Sequence, residues 1–379
     1  MIKLFHVISD TNIGGAGTLL LNYLANADRQ RFAITVVLPR GSALVPRITA
    51  MGIPVIETEH GHDRSRERGA AAEFRRIFRA ERPDIVHTHS SFSAKLAAWQ
   101  VGIGVRIYTR HSVFPPPKKL TTFPGRQISG LVNNTLSTHI IAVAQAAADN
   151  LTDTGVDPRK IRVIVNGVEP MTPPTADARR ALRASLGWGD EHFVVGMSAR
   201  LEEVKGHRYF LDAAAMLAAQ DEQMRFLIIG TGACEAELRA QAERLGIADR
   251  VCFAGFVTRV ADYVGSMDLI VNCSFGTEAT SLALAEAMSL SRPIVATTYG
   301  GNPYMVEDGV NGYLVPIKDA PALAEAILRV RRDTEQYTAL CEGAYSRYIE
   351  RFTAAAMTRQ MEALYTEALG ENAAHTKSK

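Results

Sequence analysis

Strand and helix alternate along this chain, and that alternation constrains the fold more than any other feature. The first half holds the β-branched runs "KLFHVI", "AITVVL", "IPVIE", "DIVHTH", "VRIYTR", "HIIAVA" and "IRVIV", most of them separated by Ala- and Leu-rich helical segments. Strand, helix, strand in series implies a parallel sheet with helices on both faces, because parallel strands need a long crossover. The stretch "NGVEPMTPPTAD" breaks the rhythm with Pro170, Pro173 and Pro174 and reads as a linker. The alternation then restarts with "FVVGMS", "RFLIIG", "VCFAG", "DLIVN", "PIVATT" and "GYLVP". At 379 residues the chain exceeds one ordinary core. The expected fold is therefore α/β, two Rossmann-like doubly wound parallel-sheet domains facing a cleft, over residues 1–168 and 169–350. The polar tail 373–379 is expected to be disordered.

Composition removes several classes of function. Hydrophobic residues at 47% against 22% charged residues fit a globular protein and argue against a disordered chain. A net charge of +2 gives no reason to expect a nucleic-acid partner. The four cysteines, Cys234, Cys252, Cys273 and Cys341, are scattered without CxxC spacing, which argues against a zinc site or disulfide framework and for reduced thiols in a cytoplasm. "MIKLFHVISD" reads as a strand, not a signal peptide, and no apolar run approaches a membrane span.

In open α/β sheets ligands bind beyond the carboxyl ends of the strands, so the loops there carry the candidate chemistry. After the first strand, Gly14, Gly15 and Gly17 open a helix. Such glycines either form an ordinary tight turn or let backbone amides approach an anion. The dinucleotide fingerprint fails, since its third glycine position is Leu20. After the first strand of the second half, Arg200 and Lys205 lead into a helix. They are either a solvated pair or a fork and a point charge suited to a diphosphate. After "DLIVN" comes "FGTEATSLALAEAM", whose helix is expected to begin near Thr280 with free amides at Thr280, Ser281 and Leu282. Glu278 precedes it and Glu286 lies inside it; by pattern alone Glu286 reads as a solvent-facing residue of an amphipathic helix.

The segment "SFGTEATSLALAEAMSLSRPIVATTYGGNPYMVEDGVNGYLVP" resembles the retaining glycosyltransferases of family 4, which have the GT-B fold. Their E-x7-E signature matches Glu278 and Glu286. Their Arg-Leu…Lys-Gly element matches "RLEEVKG", their first glycine pair Gly14-Gly15, their D-x-x-H-x-H strand "DIVHTH", and their "NG(V)" matches "NGV" at 166–168. These elements run in order from residue 14 to 316. The resemblance implies that Glu286 holds the ribose of a nucleoside-diphosphate sugar, UDP- or GDP-linked, and that Glu278 contacts the transferred sugar. The amides of Thr280, Ser281 and Leu282, with Arg200 and Lys205, would bind the diphosphate. Gly15 would let the first-domain loop close over it, and His111 in "TRHSV" would face the sugar from the acceptor side. It also implies that a C-terminal helix, 351–372, crosses back to the first domain. Two departures fall near the donor: "ATS" replaces Gly-Phe-Gly after the first glutamate, and Tyr304 replaces a glutamate after the second glycine pair. They leave the sugar's identity open.

The expected reaction is transfer of a sugar to a glycan or lipid-linked acceptor, with His111, Arg200, Lys205 and Glu278 as the catalytic set. No metal or other cofactor is expected, because no Asp-x-Asp pair occurs and two cations can stabilise the departing diphosphate. His87 and His89 share a strand face and could bind a metal, but packing or acceptor contact is the preferred reading. A nucleotide-sugar epimerase or hydrolase on the same fold and a non-catalytic nucleotide-sugar binder are the competing readings. One charge pattern stands apart from the resemblance. From Ile85 to Ala148 there is no Asp or Glu, while Lys95, Arg106, Arg110, Lys118, Lys119 and Arg126 occur. Phe114, Phe123, Ile128, Leu131 and Leu136 lie among them. These cations are either merely solvated or paired, or they draw an anionic acceptor or membrane surface, with Arg110, Lys118, Lys119 and Arg126 as candidates. A peripheral position at the cytoplasmic face, in bacterial surface polysaccharide or glycolipid synthesis, is the resulting expectation.

Overall fold

All thirteen expected runs form strands in the computed structural model, which describes residues 1–60, 67, 69–113 and 116–377. The chain divides into two units: Met1–Gly167 together with the chain from Ala354 onward, and Val168–Thr353.

The first unit carries β1 (Ile2–Ile8), β2 (Phe32–Pro39), β3 (Val55–Thr58), β4 (Ile85–His89), β5 (Val105–Arg110), β6 (His139–Ala142) and β7 (Ile161–Val163), in the order β3-β2-β1-β4-β5-β6-β7. Every pairing is parallel. Strands buried on both faces read as near-continuous apolar runs, and β1 shows how. Phe5 and Val7 pack on one face with Phe74, Phe78 and Val86. Leu4 and Ile8 pack on the other with Leu20, Tyr23 and, from the last helix, Met361 and Tyr365. His6 occupies the position between Leu4 and Ile8, where the strand period of two puts it on that second face. That last helix spans Ala354–Lys377, so the tail expected to be disordered from 373 is helical as far as Lys377. Sequence polarity flagged exposure there, and exposure does not prevent a long helix from continuing past its last buried residue.

The second unit carries β8 (Phe193–Ser198), β9 (Met224–Ile229), β10 (Val251–Gly255), β11 (Leu269–Asn272), β12 (Ile294–Thr297) and β13 (Gly312–Val315) in the order β10-β9-β8-β11-β12-β13, again all parallel. Both sheets thus reverse direction of growth between their first and fourth strands, at β1/β4 and at β8/β11. A switch point leaves a crevice at the carboxyl ends of the two strands that flank it. Arg200, Lys205 and Glu278 follow β8 and β11. Gly14 and Gly15 follow β1, and His87 and His89 end β4.

Candidate functional site

The loops after β8 and β11 of the second unit are locked together by close backbone approach. Lys205 ends a short turn, Glu203–Lys205, and Gly206 follows with φ +76 before the helix His207–Ala218. A Cβ at Gly206 would lie 2.2 Å from the Cys273 carbonyl oxygen, so only glycine lets this turn rest on the end of β11. The Phe275 amide donates to the Val204 carbonyl at 2.9 Å, closing the two loops on each other.

That docking brings Lys205 and Glu278 together. Lys205 Nζ donates to Glu278 Oε2 at 3.0 Å and to the Thr277 carbonyl at 3.1 Å. Two more donors reach the same carboxylate oxygen, Ser274 Oγ at 2.8 Å and Asn272 Nδ2 at 3.2 Å. The pair is well buried, with 15% and 9% of the two side chains exposed. An ammonium has three donors and a carboxylate two oxygens, so one Lys205 proton and Glu278 Oε1 are left over among the described residues. The Glu278 loop is held from behind by the second glycine pair. A Cβ at Gly300 would meet the Glu278 carbonyl oxygen at 1.9 Å, and the Gly301 amide donates to that same oxygen at 3.2 Å.

Arg200 does not join this pair. Its guanidinium bonds Glu202 at 2.5 Å, and its side chain is 71% exposed. The symmetrical two-cation clamp expected from sequence is therefore an ordered Lys205 and an outlying Arg200. The spacing gave no view of Glu202, which offers Arg200 a nearer partner.

The helix expected from Thr280 begins later, at Leu282, and ends at Ser289. Ser281 is its cap: Ser281 Oγ accepts from the Leu284 amide at 3.4 Å. The amides of Leu282 and Ala283 therefore open the helix, next to that of the cap residue Ser281, which likewise has no intrahelical partner. Glu286 is the fifth helical residue. Helical side chains lean toward the N-terminus, which carries its carboxylate back over the first turn. Among the described residues that carboxylate has no hydrogen-bond or ion-pair partner. Burial lifts its pKa from 4.5 to about 7. The solvent-facing reading of Glu286 does not hold: it is a half-buried carboxylate left without a donor.

In the first unit Gly14 caps the helix Gly15–Asn26, which has no side-chain cap and no acid in its first turn. A Cβ added at Gly15 would have nothing within 4 Å, so packing does not explain that glycine. His111, just past β5, belongs to a buried chain of imidazoles. His111 Nε2 lies 2.9 Å from His89 Nδ1, and His89 Nε2 lies 3.0 Å from His6 Nδ1. His87 is satisfied separately, by Tyr365 Oη at 2.7 Å and Thr109 Oγ1 at 2.6 Å. Desolvation lowers the pKa of His111 to about 4 and of His6 to about 3, and it holds His87 and His89 well below the usual imidazole value. All four rings are neutral near pH 7. His6, His87 and His89 have ring nitrogens within 4.8 Å of one another, the spacing of a possible metal centre. Yet both nitrogens of His87 and both of His89 already have partners, and only His6 Nε2 lacks one.

The candidate cations also separate. Arg110 Nε donates to the Ser112 carbonyl and Arg126 Nε to the Asp153 carbonyl. Lys118 and Lys119 are exposed on the short helix Lys118–Thr121, and none of the four has an ion pair among the described residues. Beside them Phe123, Ile128 and Leu131 are 82%, 59% and 70% exposed, the last two on the helix Gly125–Leu136. Leu136 is buried, which removes it from the apolar patch, and Phe114 lies outside the described residues. Among the described residues no helix is long and apolar enough to cross a membrane.

Residues 13–171 match the family model for Glycosyltransferase Family 4, and residues 192–333 match that for Glycosyl transferases group 1. The chain belongs to the family-4-like glycosyltransferases. Its two parallel-sheet units make the GT-B fold of this family. A protein of Bacillus subtilis strain 168 named as glycosyltransferase EpsD is 29% identical over 64% of this chain and 66% of its own length. The D-inositol 3-phosphate glycosyltransferase of Streptomyces bingchenggensis is 29% identical over 76% of this chain and 67% of its own. The chain thus spans about two thirds of the length of these relatives. Among solved structures, the Anabaena protein Alr3699/HepE in complex with UDP superposes with a TM-score of 0.83 at 24% identity, covering 97% of this chain and all of that one.

Several residues of this candidate site are missing from the sequence-based expectation. Asn272 and Ser274 hold Glu278, and Thr297 Oγ1 donates to the Ser274 carbonyl at 2.6 Å. Asn302, fully buried, donates to Thr297 Oγ1 at 3.3 Å. Position was the available signal: Asn272 and Thr297 are polar residues closing the apolar strands β11 and β12. His6 was equally visible, as a polar residue inside an apolar strand.

Proposed function

We propose that this chain transfers a sugar, with retention and without a metal ion, from a UDP- or GDP-linked sugar to a glycan or lipid-linked acceptor. The observation that carries the reading is the buried Lys205–Glu278 pair at the β8/β11 switch point, with one ammonium proton and one carboxylate oxygen unused. A diphosphate matches the former, and a sugar hydroxyl matches the latter. The Anabaena neighbour, crystallised with UDP and with UDP-glucose, supports a nucleoside-diphosphate donor.

Within this reading the bond from the anomeric carbon to the phosphate oxygen breaks, its electron pair going to the diphosphate. Lys205, the Leu282 and Ala283 amides and Arg200 stabilise that developing charge, the first two from fixed positions. Glu278 orients the transferred sugar and Glu286 accepts the ribose hydroxyls. His111 contacts the sugar as a neutral group, and the acceptor's proton passes to the departing phosphate oxygen. Ser281 and Thr280 shape the loop that carries Glu278. The exposed Phe123, Ile128 and Leu131 beside Lys118, Lys119 and Arg126 support peripheral attachment to an anionic membrane at its cytoplasmic side, where a lipid-linked acceptor of surface polysaccharide synthesis would be met. A thermal-shift screen of nucleoside-diphosphate sugars tests the reading, because a ligand selective for the native state raises its melting temperature. A UDP- or GDP-sugar should stabilise the protein and yield a product of unchanged anomeric configuration. Epimer or free sugar as the main product, or binding with no turnover on any acceptor, would replace this function with one of its rivals.

A further inference from the structure

We propose that His6 and His89 are positioning residues that fix the tautomer of His111, making it a neutral hydrogen-bond donor at Nδ1. Its catalytic meaning rests on the assignment of His111 to the transferred sugar.

The register of the sheet builds the chain. His6 on β1 pairs with His87 on β4, and Ile8 pairs with His89. His6, His87 and His89 therefore share one sheet face, and His111 extends the row past β5. Consecutive rings are tilted only modestly: His6 and His89 have centroids 5.3 Å apart at 23°, and His89 and His111 5.1 Å at 26°. Each nitrogen-to-nitrogen contact holds one proton when both rings are neutral. Two protonation patterns satisfy both contacts. In one, His6, His89 and His111 all carry their proton on Nδ1; in the other, all three carry it on Nε2. The three rings must switch together, since a mixed pattern sets two lone pairs or two N–H groups face to face.

The far end of the chain decides between the patterns. His6 is wholly buried, and its Nε2 has no partner. Besides His89 its ring packs on His87, whose two nitrogens already have partners, on Tyr23 from the helix Gly15–Asn26 and on Tyr365 from the helix Ala354–Lys377. An orphaned buried N–H is rarer in proteins than an under-used acceptor. That favours the pattern with a lone pair at His6 Nε2, and so with protons on Nδ1 throughout. His111 then accepts at Nε2 from His89 and presents Nδ1–H outward. A donor suits an oxygen-rich ligand, where every hydroxyl and phosphate oxygen can accept.

The test is long-range ¹H–¹⁵N NMR on histidine-labelled full-length protein, with rings assigned by single substitutions, and steady-state kinetics on the same variants. The wild type should show a protonated-type nitrogen at Nδ1 and a lone-pair-type nitrogen at Nε2 for His6, His89 and His111, with or without substrate. His6→Phe keeps the ring but removes the donor to His89. It should give His111 a mixed tautomer signal and lower kcat about tenfold, the scale of one hydrogen bond, while UDP or GDP affinity stays unchanged. His6→Asn, whose amide can replace the Nδ1 donor, should restore both. An Nε2–H at His111 in the wild type overturns the proposal without any variant. So does an unaltered His111 pattern in folded His6→Phe, and so does a stoichiometric zinc ion bound by His6, His87 and His89. Absence of sugar transfer with every donor would sink the function of the preceding section, yet the tautomer pattern would still be read.

Discussion

The two units share a strand order but place opposite chemistry at the same topological point. At β8/β11 two charges meet, Lys205 and Glu278, largely withdrawn from water and held by Ser274 and Asn272. At β1/β4 the buried side chains that face one another are the imidazoles of His6, His87 and His89, which burial keeps uncharged. Topology selects where a ligand can sit, and side chains select which part of it is met. A partly desolvated charge acts strongly on a diphosphate because little water screens it. Neutral rings suit hydroxyls, which need direction more than charge.

If that division is right, the largest loss should follow from removing the charge. Lys205→Ala should lower transfer about a thousandfold, at the upper end for one fixed transition-state donor, and near-normal turnover at saturating donor would break the comparison. Arg200→Ala should cost less, about tenfold, because an exposed cation already paired to Glu202 must first be recruited. A loss equal to that of Lys205 would show that Arg200 leaves Glu202 for the diphosphate and stabilises it as strongly as Lys205 does.

Glu286 sharpens the picture through pH. Its pKa stands raised from 4.5 to about 7. The ionised form is the one that accepts two ribose hydroxyls, so nucleotide affinity should climb as pH rises through about 7. Glu286→Gln should flatten that rise, leaving only the nucleotide's own titration. The ligand-free protein follows the reverse sign. A carboxyl whose folded pKa is raised contributes stability that is full below pH 4.5 and lost as pH rises through about 7. Calorimetric titrations from pH 6 to 8 decide the matter, and identical slopes in the two proteins would remove Glu286 from the nucleotide site.

The smallest effect concerns the first unit's exposed cations. Lys118→Glu with Lys119→Glu should weaken co-sedimentation with anionic vesicles severalfold at low salt and leave nucleotide affinity untouched. Equal sedimentation of wild type and variant would detach the basic patch from any membrane.

Much of this was legible in the chain. Strand runs survive single-sequence reading because a parallel strand buried on both faces leaves an unbroken apolar signature, and "NGVEPMTPPTAD" announces its break with three prolines. Glu278 and Lys205 were legible as residues but not as a pair, since they lie 73 positions apart and meet only through the docking of Gly206 on Cys273. The helix start slipped by two residues because Thr280 and Ser281 are both competent caps, and the geometry uses Ser281. The imidazole chain was hidden for a different reason. "HTH" showed two members on one strand face, but His6 and His111 join them only through sheet register and a loop after β5.

The most direct measurement is calorimetric titration of UDP and GDP into the wild type, Lys205→Ala and His111→Ala. Nucleotide binding assigned to the second unit predicts that one of the two nucleotides binds the wild type and His111→Ala alike, and that Lys205→Ala loses most of that affinity. Full affinity in Lys205→Ala together with loss in His111→Ala would contradict it.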